Sequence, residues 1–206
     1  ILIAPMPSAK YTSLMSMHNE VAENLITFLE TKYSKIGISN HYEFPDIRPF
    51  LWKGYDPSVK YTYVLDLTNL KQVWEGLEKD TRNLIRKIQK TSPDFDLGAF
   101  AVFEKLYRQT FERKGLEVPA DYVFLLNMGT KFGASIWTYY DKQKNPKSSV
   151  VMLQDSKRAY YELGASDGDD TSAFTLWVAL EALNNAGAKE VDFVGCNSRK
   201  IGAFKK

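Results

Sequence analysis

Residues 163–183, LGASDGDDTSAFTLWVALEAL, read as a strand end, a tight acidic loop and the first turns of a helix. A strand-loop-helix junction is a ready phosphate site, because the unbonded amides of the first helical turn and the helix dipole both favour an anion. Here the loop sets Asp167, Asp169 and Asp170 around a single glycine, Gly168. Carboxylates in those places stabilise the helix end themselves and repel a pyrophosphate, so the junction reads as self-capped. The plainer alternative, an N-cap and surface turn, also leaves no phosphate site.

Just upstream, RAYYELGAS contains Tyr160, Tyr161 and Glu162. Strand alternation sends the two tyrosines to opposite faces, so one can line a cleft while the other packs in the core. A cleft tyrosine can orient an amine or donate a proton, and Glu162, on the face of Tyr160, is a candidate base; core rings and a solvated carboxylate are the ordinary alternatives. Arg113, in FERKG, has the planar fork that suits a diphosphate, or is simply a cation near a helix C-terminus. Arg82, Arg86 and Lys90 recur every four residues, as a phosphate-contacting stripe or as a solvated face. Lys205 is a candidate oxyanion partner if it sits in a desolvated cleft, and otherwise part of a basic tail. No Ser-His-Asp or Cys-His set can be placed, so a covalent intermediate is not expected. Cys196, the single cysteine, follows a strand without an activating partner and reads as a small buried side chain; with two histidines it makes no zinc site, and no metal is expected.

The 206 residues, 44% of them hydrophobic, suffice for one sizeable domain, or one domain and part of another. With 27 basic against 25 acidic residues the net charge is +2, which gives no argument for DNA or an anionic membrane as partner. No run of about 18 apolar residues and no signal-peptide pattern occurs, so no membrane span and a cytoplasmic location are expected. The chain opens on ILIAPM without an initiator Met and stops at IGAFKK, so it reads as a piece of a longer protein.

The elements that must position these side chains follow from periodicity. Residues 17–37 predict a helix with Val21, Leu25, Phe28 and Leu29 on its apolar face and Gly37 as its stop. ISNHYEF predicts a short strand, PDIRPFLWKGYDPS an irregular connector, and KYTYVLDL a strand. One helix is expected over 68–90, carrying Leu70, Trp74, Leu77, Leu84, Ile85 and Ile88. A second is expected over 99–115, with Phe100, Phe103, Tyr107 and Phe111 inward, and a third from PADYVFLLNMGTKFG. ASIWTYY, SSVVMLQ and KRAYYELG then predict three hairpin-linked strands. The helix over 171–187, capped by Asp170 or Thr171 and closed by Gly187, and the strand KEVDFVGC complete the order.

An antiparallel meander, a helix and a returning strand, together with the phrases YTYVLDL, TRNLIRKIQK, LYRQTFERKG, RAYYELGAS, VDFVGCNS and FKK, resemble the FemAB/FemX-like family of the GNAT (acyl-CoA N-acyltransferase) superfamily over roughly residues 45–206. The resemblance implies an α+β fold with a mixed, mostly antiparallel sheet flanked by helices. Residues 51–206 would form the second of two GNAT-like domains and residues 1–50 the remainder of the first. It also implies transfer of an acyl or aminoacyl group to a substrate amine, with a small-molecule or nucleotide-linked substrate. Phe204-Lys205 match a Phe-Lys pair of FemX-type enzymes. Lys205 and Tyr161 are then the catalytic candidates, and Arg113, Tyr160, Phe204 and Lys206 the substrate-binding ones, with the tyrosine that faces the cleft left open. Acetyl-CoA-binding relatives carry a glycine-rich R/Q-x-x-G-x-G/A phrase where this chain has its acidic loop. That departure favours aminoacyl-tRNA as donor and a peptidoglycan-precursor amine as acceptor, with no tightly bound cofactor. The alternatives are an acetyl-CoA-dependent N-acetyltransferase with an unusual loop, and a catalytically silent GNAT-like binding domain.

Overall fold

A computed structural model of the chain describes residues 10–41, 44, 46–98, 100–119, 131, 133–156 and 158–195. The chain divides into two compact units, Ile1–Val59 and Lys60–Lys206.

The first unit holds α1 (Tyr11–Glu30) and a short α2 (Arg48–Trp52). Its core is Ala22, Ile26 and Phe50, with Ile38, Phe44 and Tyr55 packed around them. The helix therefore buries a different stripe from the one its periodicity suggested, and Val21 and Phe28 are exposed. The expected stop at Gly37 and strand over 38–44 are also corrected: α1 ends at Glu30, and the described residues of that stretch are in no strand. The presumed irregular connector contains α2 because Pro49 falls in its first turn, where no amide is needed, and Asp46 accepts from the Arg48 N–H at 3.0 Å.

The second unit is built on a six-stranded sheet. In chain order its strands are β1 (Val64–Asp66), β2 (Asp94–Leu97), β3 (Ser135–Tyr140), β4 (Pro146–Gln154), β5 (Ala159–Ser166) and β6 (Glu190–Asp192). Across the sheet they run β1-β6-β5-β4-β3-β2, antiparallel throughout except for β5 with β6. The fold is thus the expected mixed, mostly antiparallel sheet flanked by helices. The single helix anticipated over 68–90 is two, α3 (Leu70–Gly76) and α4 (Lys79–Gln89), with Leu77 and Glu78 extended between them. Arg82 stabilises the break by donating to the carbonyls of Glu75 and Leu77 at 2.7 and 2.5 Å, and Arg86 stacks on the Trp74 ring at 5.3 Å. Two of the three basic-stripe residues therefore serve the fold. The edge strand β2 escaped notice because only Phe95 in DFDL is even half-buried, so it lacks an apolar pattern.

Helix α5 (Phe100–Arg113) packs Phe103, Leu106 and Tyr107 against Ile136, Val151 and Ala165 on one sheet face. Helix α6 (Ser172–Asn185) packs Leu176, Ala179, Leu180 and Leu183 against Val150, Met152 and Ala159 on the other. Consecutive residues Val150 and Val151 supply the two cores, as strand alternation requires. The α6 face also receives α3 and α4, through Ile85, Ile88, Phe174 and Trp177. The helix anticipated around 119–133 falls mostly outside the described residues.

Candidate functional site

β5 and β6 are the parallel pair, and their register pairs Ala159 with Val191 and Tyr160 with Asp192. Past that point β5 runs on to Ser166, whereas β6 ends at Asp192, so their ladder stops there, at a fork in the pairing. The fork is set from below and from within. Below it, Arg158 reaches Glu190 at 2.7 Å and Asp192 at 3.6 Å, while Asp192 also accepts from the Thr62 hydroxyl at 2.6 Å and the Val194 N–H at 2.8 Å. These last bonds hold Val194 at φ 45°, an uncommon conformation for a β-branched residue, as the chain leaves β6.

Within β5 the register slips by one residue: Met152 faces Tyr161, but Val151 faces Leu163. Glu162 is the extra residue of a β-bulge. Its consequence is that Tyr161 and Leu163, two apart, lie on opposite faces, Tyr161 in the α6 core and Leu163 against the α5 core.

Tyr161 is 7% exposed, its ring edge-on to Phe193 with centroids 6.1 Å apart. A Cβ on Gly164 would lie 2.0 Å from the Tyr161 hydroxyl oxygen, so the absent side chain is what lets the ring lie there. Burial pushes the Tyr161 hydroxyl up to about 12. Tyr160 points to the other face and donates to Asp155 at 2.9 Å, at the β4–β5 turn; burial first, then that carboxylate, push it up to about 12. Near neutral pH both are protonated, and each is a hydrogen-bond donor but not a base.

At the top of β5, Arg113 donates to the Ser166 carbonyl at 3.1 Å and to the Ser166 hydroxyl at 3.4 Å. Thr110 accepts from the Ser166 N–H at 3.0 Å, so the end of α5 is stitched to the end of β5. The guanidinium also lies against Gly168, whose φ of 116° a side chain would strain. In the loop, Lys147 bridges Asp167 and Asp169, and those carboxylates raise its ammonium pKa. Asp167 also accepts from the Asp169 N–H at 3.1 Å.

The self-capped junction therefore needs correcting. Its carboxylates are drawn to Lys147, Thr171 is the N-cap without a capping bond, and its hydroxyl instead donates to Ser148 at 2.9 Å, beside the buried Ser148–Thr175 pair. Among the described residues, the N-cap side chain makes no bond to the first amides of α6.

On the α6 face, a cavity of about 380 Å³ lies between β1, α3, α4 and α6, and Phe193 forms part of its wall. Tyr161 packs on that same phenylalanine. Sequence reasoning missed this cavity, because its lining comes from five separate segments and includes the helix break.

Of the candidate residues, Tyr160, Tyr161 and Arg113 share β5 or its end. Arg113 is anchored at Ser166, about 13 Å up the strand from Tyr161, four steps of the partner strand at roughly 3.3 Å per residue. Lys205, Phe204 and Lys206, with Cys196, lie outside the described residues. No group of three or more His, Cys, Asp or Glu suited to a metal occurs among the described residues, and no helix among them is long and apolar enough to cross a membrane.

No protein-family model matches the sequence, and no curated protein matches it. Among solved structures the fold matches FemX with a TM-score of 0.60 at 13% identity, over 72% of this chain and 58% of that one. It also matches L-PGS from Bacillus licheniformis with a TM-score of 0.51 at 9% identity, over 76% of this chain and 53% of that one. The chain spans a little over half the length of either protein. The architecture is that of these two proteins.

Proposed function

We propose that this chain carries an acyl or aminoacyl transferase of the GNAT/FemAB-like type, in which a substrate amine attacks an activated acyl group directly at the fork between β5 and β6. The observation that supports this reading most is the fork itself: a parallel pair whose ladder stops after two residues, beside a bulge, in a fold shared with FemX. Where a ladder stops, backbone groups are left without a ladder partner, and such groups can hold a carbonyl or oxyanion. Tyr161 would orient substrate as a donor, Tyr160 would support the fork from its other face, and Arg113 would bind the phosphates of a nucleotide-linked acceptor. Lys205 would stabilise the oxyanion, with Phe204 and Lys206 beside it contacting substrate. Aminoacyl-tRNA is the donor and a cell-wall-precursor amine the acceptor in this reading, which places the reaction in the cytoplasm. Residues 1–50 would belong to a preceding GNAT-like domain and 51–206 to the catalytic one.

The test is transfer by the full-length protein from labelled aminoacyl-tRNA to a UDP-linked muropeptide, with the new amide read by mass spectrometry. Lys205→Ala should lower turnover about 100-fold, the usual loss for one oxyanion partner. Absence of any product, or an unaffected Lys205→Ala, rejects the reading and leaves a silent binding domain. One observation favours acetyl-CoA as donor instead: the N-cap side chain of α6 makes no capping bond, which leaves amides for a pyrophosphate despite the acidic loop. Calorimetric binding of acetyl-CoA at micromolar strength would decide for that donor.

A further inference from the structure

We propose that the cavity between β1, α3, α4 and α6 binds a straight aliphatic chain ending in a primary ammonium group, with Asp66 as its charge partner. Its volume of about 380 Å³ is near the lower end of the roughly 300–1,000 Å³ found for small-molecule sites, so the ligand is small. Leu65, Val73, Leu77, Ile85, Leu176 and Leu180 make the wall aliphatic. Such a wall rewards burial of methylenes, and the uncharged polar side chains Asn69, Gln72 and Thr81 complete the lining. Among the described lining residues Asp66 is the one charged side chain, and none is basic. A phosphate or carboxylate would therefore meet a repelling charge and no compensating cation, whereas an ammonium meets an acceptor.

Asp66 is prepared for that part. It stands at the end of β1, where its Oδ1 accepts from the Thr68 hydroxyl at 2.6 Å and the Thr68 N–H at 2.8 Å. Its Oδ2 has no hydrogen-bond partner among the described residues. The same two bonds, the hydroxyl first, favour the ionised form and hold the carboxyl below its ordinary range. The carboxylate is thus fixed in direction and charged at neutral pH, with one oxygen unoccupied. Its exposure limits the energy of the pair, since exposed ion pairs contribute little, and most affinity comes from the chain in the cavity.

This assignment goes beyond transfer chemistry and is read by binding alone. Calorimetry on the full chain would compare hexylammonium, hexanol and hexanoate, which share a chain and differ in head charge. Hexylammonium should bind about threefold tighter than hexanol and about tenfold tighter than hexanoate, because attraction in one case and repulsion in the other each contribute a fraction of a kilocalorie. Asp66→Asn, which keeps an acceptor for Thr68, should bring the three within about twofold of one another. Leu176→Trp, which fills the cavity, should weaken all three. Equal binding of the three by the unaltered chain, no binding at all, an unchanged order in Asp66→Asn, or undiminished binding in Leu176→Trp would each overturn the assignment. A protein that binds hexylammonium here but transfers nothing keeps this inference and loses the proposed function; the opposite result keeps transfer and removes the cavity from it.

Discussion

At its base β5 is tied to β6 by Arg158, whose side chain is 9% exposed and whose partners Asp192 and Glu190 are 12% and 36% exposed. At its top the strand ends in a loop held by Lys147, whose partners Asp167 and Asp169 are 26% and 62% exposed. Both ends use a cation between two carboxylates, but the surroundings differ. At the base Arg158 and Asp192 depend on each other, because water reaches them little; at the top solvent and salt compete more, most of all at Asp169. The strand is consequently fixed where it meets β6 and only latched where it meets the helix. A site built on the fork would thus have a rigid floor and an adjustable rim.

That contrast can be broken most forcefully at the floor. Arg158→Met should destabilise the chain by about 3–5 kcal/mol in urea unfolding, the range for removing one partner of a buried ion pair. A loss under about 1 kcal/mol would mean that Thr62 and the Val194 amide alone suffice for Asp192. Next comes the middle of the strand. Gly164→Ala places a methyl where the Tyr161 hydroxyl lies and should cost about 2–3 kcal/mol. Much of that loss should disappear in the double variant with Tyr161→Phe, whose nearest ring carbon is 3.1 Å from the new Cβ.

The pH dependence sharpens the same division. A tyrosine raised from 10.0 to about 12 favours folding fully below pH 10, and its contribution fades as pH climbs toward 12 and the unfolded chain ionises first. Tyr161→Phe should therefore flatten the stability loss between pH 10 and 12 by about 2 kcal/mol. Tyr160→Phe should flatten it less, because that ring is only half-buried. Smallest of all is the rim: Lys147→Gln should cost about 1 kcal/mol or less, and less still in high salt. A large, salt-insensitive loss would place the rim in the same class as the floor.

The sheet was largely legible in the sequence, the site much less so. Strands β3, β4 and β5 announce themselves by β-branched and aromatic residues between polar turns, and α6 by its apolar content and Gly187 at its end. Both signals are local. Helix α1 misled because it carries apolar residues on two stripes, and Phe50, some 24 residues beyond Ile26, selects the one around Ala22 and Ile26. The split between α3 and α4 depends on Arg82 reaching back to Glu75 and Leu77, which spacing alone does not reveal. Strict alternation correctly separates Tyr160 from Tyr161 but fails at Glu162, because a bulge depends on the neighbouring strand. The Lys147 bridge to Asp167 and Asp169 joins residues twenty or more apart, so a loop read as capping its own helix is instead bound to another strand.

The bulge at Glu162 also governs what length changes this strand can accept. Substituting that residue alters one side chain; deleting it would bring Leu163 directly after Tyr161, restore strict alternation and leave every residue from there to Ser166 opposite its present partner and on its present face. Leu163 and Ala165 would keep to the α5 side and Gly164 to the side of the Tyr161 hydroxyl, with only the bulge lost. Related chains should therefore vary freely in the identity of this residue or lack it altogether, whereas loss of one further residue between Tyr161 and Ser166 would exchange the faces beyond it.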